Sequence, residues 1–115
     1  GDDGTFCIFQ SVIWAFRAVF KLLMKYNKHH LYSVRSIIER WAPSAENDTN
    51  AYVARVCKDT GFDPTTILDV SHVEYEYESK QLVLAMAAVE LGLDYEKVNV
   101  LFKDDVDAGY KLAVG

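Results

Sequence analysis

Two places in this chain hold residue types that can do chemistry. The first is a short stretch containing Glu39, Trp41, Glu46, Asn47, Thr49 and Tyr52. It offers an indole for stacking, a phenol, and several carboxylate, amide and hydroxyl groups for hydrogen bonding. Loops on a rigid scaffold are where binding groups collect. The second place is Glu90, which ends the apolar run from Leu82 to Val89 just ahead of Gly92. A carboxyl group in apolar surroundings resists ionisation and can serve as a general acid. Each residue also has a plainer role. Glu39 follows Arg35 by four positions, the spacing of an ordinary surface ion pair on a helix. Glu46, Asn47, Asp48 and Thr49 suit a capping network. Tyr52 shares a helical face with Val56, so its ring fits a core with its hydroxyl at the rim, and Trp41 beside Pro43 fits burial. Glu90 can be a solvent-facing carboxylate, although a negative charge near a helix C-terminus costs about 0.3–1 kcal/mol.

The elements that must position these groups read as helices. Thr5 to Gln10 favours an extended lead-in or one short N-terminal strand. A first helix is expected from Ser11 to Tyr26, with Val12, Phe16, Val19, Phe20 and Leu23 at helical spacing. Arg17, Lys21, Lys25 and Lys28 recur every three or four positions and make one basic face, read first as a solvated stripe. Ser33 caps a second helix, Val34 to Trp41, which Pro43 prevents from continuing. Asp48 or Thr49 caps a third helix that runs to Thr60, where Gly61 stops it. Residues 71–78 alternate polar and apolar, a strand pattern, but a lone strand lacks a partner. A loop passing into a helix from Ser79 to Leu91 is the preferred reading. Asp94 then caps a short helix to Phe102, and Asp104 or Asp105 a last one to about Val114. The sum is a mainly all-α compact domain of about six helices, with residues 1–115 forming a single domain.

Composition bounds the function. The chain has 115 residues, half of them hydrophobic and 13% aromatic, which supports a real core and argues against disorder. The net charge of −5 is unevenly placed: residues 1–62 carry 8 basic and 6 acidic groups, residues 63–115 carry 4 basic and 11 acidic groups. No Lys/Arg cluster is interleaved with aromatics, so nucleic acid is disfavoured as a partner. The acidic half suits solubility or a basic partner. Cys7 and Cys57 belong to no CxxC pair and read as reduced thiols. His29 and His30 lack a third ligand nearby, so neither a metal nor another cofactor is expected. The apolar run from Phe6 to Leu23 is broken by Gln10, Arg17 and Lys21, too polar for a membrane span. No signal peptide is visible at the start. Lacking an initial Met, the chain reads as a fragment or a processed product.

Several segments together point to a family. They are Gly1 to Phe9; Phe16-Arg17-Ala18 in a helix ending Lys21 to Tyr26; Ser33 to Pro43; Glu46-Asn47-Asp48-Thr49; and Tyr52-Val53. This pattern resembles a family of small bacteriophage and prophage virion structural proteins with a lysozyme-like relationship, over roughly residues 1–92. The family's Glu-Asn-Gly late in the chain corresponds to Glu90-Leu91-Gly92, so the acid is kept and the amide replaced. Its Asn-rich lead-in has no counterpart in these residues. The resemblance implies a lysozyme-like helical architecture and a virion location. It implies a protein that binds peptidoglycan, and cleaves it as a glycoside hydrolase or lytic transglycosylase, during genome entry. In that reading Glu90 is the general acid and Glu39 a weaker candidate, while Trp41, Glu46, Asn47, Thr49 and Tyr52 shape a glycan groove. The competing expectation is a non-catalytic virion building block that binds other virion proteins or further copies of itself.

Overall fold

The structure is a computed structural model. It describes residues 3–45 and 48–115, with side chains from residue 11 onward. Five α-helices follow one another: α1 (Asp3–Lys28), α2 (Val34–Trp41), α3 (Thr49–Thr60), α4 (Glu76–Leu91) and α5 (Tyr95–Val114), with one 3₁₀ turn at Val73–Tyr75 before α4. No strand occurs among the described residues. One isolated antiparallel bridge joins Ser33 to Ile67.

Local chemistry sets several helix ends where expected. The Ser33 hydroxyl accepts the Ser36 N–H at 3.1 Å, and the Asp48 carboxylate accepts the Ala51 N–H at 3.1 Å. Gly61 and Gly92 close α3 and α4 in the left-handed conformation, at φ 80° and 67°. Three expectations need correction. The short strand expected at 5–10 is helical, because α1 begins at Asp3. With no second strand among the described residues to pair with, this β-prone segment follows the helix it adjoins. The last two expected helices are one, since α5 runs unbroken past Phe102. Asp104 and Asp105 sit inside it, and no Gly or Pro between Phe102 and Val106 interrupts propagation. The loop after Ser71 leads into a helix as expected, but α4 starts three residues before Ser79.

The core gathers around α4, where Leu82, Val83, Leu84, Ala85 and Met86 are all buried. Phe20 of α1 meets Tyr110 of α5 edge-on at 5.3 Å, and Phe16 meets Phe102 at 5.9 Å. The irregular segment between α3 and α4 is tied down by one buried amide. Asn27 donates to the carbonyls of Leu31 (2.9 Å) and Leu68 (3.1 Å) and accepts the Val70 N–H (2.8 Å). On the opposite side Lys80 of α4 joins Glu76 to Asp107 of α5.

The approach of α1 to α5 depends on Gly109. A Cβ added there would lie 2.6 Å from the Phe16 Cβ and 3.0 Å from the Ile13 carbonyl oxygen. Gly109→Ala normally stabilises a helix interior by roughly 0.5–1 kcal/mol. Here it should destabilise the fold by about 1–3 kcal/mol, the usual cost of overpacking. Urea denaturation checks this, and a stabilised variant contradicts the close contact of α1 with α5.

Candidate functional site

Trp41 is the last residue of α2, a helix whose Val34, Ile37 and Ile38 are fully buried. Burial of that face fixes the helix, and the turn at Ala42 and Pro43 leaves the indole half-buried at its end. The Thr49 hydroxyl donates to the Ala42 carbonyl at 2.5 Å, closing the loop at its base. One turn into α3, Tyr52 points across to α4 and is only 7% exposed. Glu90 lies on the last turn of α4, exposed.

These three side chains converge. The Tyr52 hydroxyl lies 2.8 Å from Glu90 Oε2 and 3.3 Å from the Met86 carbonyl. A phenol has one proton to donate, and the nearer carboxylate takes it. Trp41 Nε1 donates to the Tyr52 hydroxyl at 3.0 Å and, more weakly, to Glu90 Oε2 at 3.4 Å. Burial pushes the Tyr52 phenol well above its usual range, and the hydrogen bond to Glu90 and that carboxylate's charge push the same way. The phenol therefore stays protonated and keeps donating to Glu90.

Trp41 and Glu90 stand on the rim of a cleft of about 310 Å³. Its walls come from α1 (Val12, Phe16), α4 (Met86, Leu91) and α5 (Phe102). Glu90 is the one titratable side chain lining it among the described residues. A largely apolar recess with one convergent polar group at its mouth is the usual form of a small-ligand site, at the small end of the size range. The residues of α1 and α5 in this wall carry no signal in the sequence. They become neighbours of Trp41 only through packing. Leu91 of α4, 55% exposed beside Glu90, leaves this side of the recess open.

Other candidates lie elsewhere. Glu39 faces Arg35 at 3.6 Å, both well exposed. With Thr49, Pro43, Ser44, Asp48 and Asn50 it borders a second, separate depression. Glu46 and Asn47 lie outside the described residues. No group of three or more His, Cys, Asp or Glu able to hold a metal occurs among the described residues, and no helix among them is long and apolar enough to cross a membrane.

Sequence comparison adds one relative. The chain is 42% identical over 60 residues to Protein P5 of Pseudoalteromonas phage PM2, a match covering 51% of this chain and 38% of that protein. The chain thus shares sequence with a bacteriophage protein and spans well under half of its length. No protein-family profile matches the chain, and no solved structure matches it.

The raised Tyr52 phenol has a consequence for stability. A group whose folded pKa exceeds its unfolded value, about 10 for Tyr, contributes fully below that pH. The contribution is lost as pH rises through the folded value. Tyr52→Phe should cost about 1 kcal/mol at neutral pH through the lost hydrogen bond. It should also lose less thermal stability than the wild type as pH climbs past about 10. Melting curves across that range check it; identical alkaline profiles contradict a buried phenol held protonated at Tyr52.

Proposed function

We infer that the chain is a lysozyme-like domain of a bacteriophage virion protein that binds peptidoglycan in the cleft bordered by Trp41 and Glu90. One observation carries this reading. Trp41 and Glu90, distant in sequence and each singled out for glycan chemistry, meet at the mouth of a single recess, and the buried Tyr52 hydroxyl hydrogen-bonds to both. An amino sugar presents C–H faces and an acetamido methyl group that suit the apolar floor, and hydroxyls that suit the carboxylate at the rim. The Trp41 ring supplies the stacking surface. The likeness to a phage protein supports a location in the virion.

Cleavage is the stronger form of the same reading, with Glu90 protonating the leaving glycosidic oxygen. Most glycoside hydrolases pair two carboxyl groups across the scissile bond. Among the described residues Glu90 supplies the only carboxyl group lining this cleft. Binding is therefore the primary activity proposed, and hydrolysis rests on Glu90 alone. A second reading, a non-catalytic building block held by contacts with other virion proteins, is favoured by the apolar cleft walls and the acidic C-terminal half.

Purified sacculi separate these readings. The wild type should sediment with them, and Trp41→Ala should weaken that binding about tenfold, equivalent to ~1.4 kcal/mol. Clearing of the suspension that disappears in Glu90→Gln establishes hydrolysis. Sedimentation without clearing establishes a binding domain. Neither sedimentation nor clearing overturns the glycan reading in favour of the building block.

A further inference from the structure

The basic face of α1 is not used by the cleft. Val12, Ala15, Phe16 and Val19 line the recess. At about 100° per residue, Arg17, Lys21, Lys25 and Lys28 fall on the opposite side of the helix. Lys21, Lys25 and Lys28 are exposed and Arg17 is half-buried. Among the described residues none of these four cations is held by an acidic side chain; the ion pairs there engage Arg35, Arg55 and Lys80. Trp14 continues the same stripe one turn earlier. Trp14 is 51% exposed, and the Arg17 guanidinium lies 5.3 Å from its ring centre.

The structure assigns this stripe to the surface of an anionic phospholipid bilayer, and we propose that α1 rests on such a surface with the cleft turned away from it. The stripe from Arg17 to Lys28 is straight and about 17 Å long at helical rise. A flat negative surface can meet all of its cations at once. An amphipathic indole beside a cation is the residue type that settles at headgroup depth. A nucleic acid fits less well. The chain is acidic overall, with a net charge of −5. Its cations lie on one convex helix rather than around a groove that could follow a phosphate backbone. The apolar face of α1 is already buried in the core, so no acyl-chain insertion accompanies the contact. Attachment is therefore electrostatic, reversible and sensitive to salt. This inference does not rest on the glycan reading, since the two faces share no residue.

Vesicle co-sedimentation tests it, comparing pure phosphatidylcholine with equal parts phosphatidylcholine and phosphatidylglycerol. The wild type should bind the anionic vesicles at low salt, release them at high salt, and ignore the zwitterionic ones. Each cation near an anionic surface contributes about five-fold. Lys21→Gln with Lys25→Gln should therefore weaken binding about twenty-five-fold. Both positions are exposed, so circular dichroism should remain that of the wild type. Trp14→Ala should weaken binding while leaving the salt dependence in place. Equal binding to both vesicle types, absence of binding to the anionic ones, or an unaffected double variant overturns the proposal. Displacement of the protein from vesicles by an equal charge of single-stranded oligonucleotide overturns it in favour of a nucleic acid.

Discussion

Burial of α4 on all sides is the constraint that organises this molecule. A helix whose side chains from Leu82 to Met86 are all buried has no solvent face along its middle. It must be enclosed by neighbours, and α1, α3 and α5 all pack against it. Only its ends remain for polar chemistry. At the N-terminal end Lys80 is held between Glu76 and Asp107. At the C-terminal end Glu90 emerges just before the Gly92 turn, where Tyr52 and Trp41 reach it. The position of that carboxylate is thus a consequence of core packing rather than of its own loop.

The same constraint explains the asymmetry of the surface. With one side of α1 committed to the core and the cleft, its cations collect on the outer side with Trp14. The mouth of the cleft, by contrast, carries a single carboxylate and the Trp41 indole, with the buried Tyr52 hydroxyl hydrogen-bonded to both. A recess and a basic stripe on opposite sides of one helix give the domain two separate contact faces of different chemistry.

Much of this is readable in sequence, for reasons that differ by element. The limits of α2 and α3 are legible because each is written locally: Ser33 and Asp48 as caps, Pro43 as a stop, Gly61 as a left-handed terminus. The apolar run of α4 is legible as a helix, and Glu90 stands out at its end. Trp41 and Tyr52 stand out by residue type. What is not legible is long-range. The continuity of α1 through residues 5–10 opposes their β preference. The continuity of α5 through Asp104 and Asp105 hides behind two good capping residues. The cleft wall is invisible because it depends on how closely Gly109 lets α5 approach α1.

The two tryptophans allow the central claim to be tested within one sample. Trp41 stands at the rim of the cleft and Trp14 on the far side of α1, and each indole N–H gives its own proton–nitrogen NMR signal. Titration with a purified, soluble muropeptide should shift the Trp41 indole signal and backbone signals near Glu90 while Trp14 stays still. A Trp41 signal that does not move at saturating muropeptide, or a shift confined to Trp14, contradicts a glycan site at the end of α4.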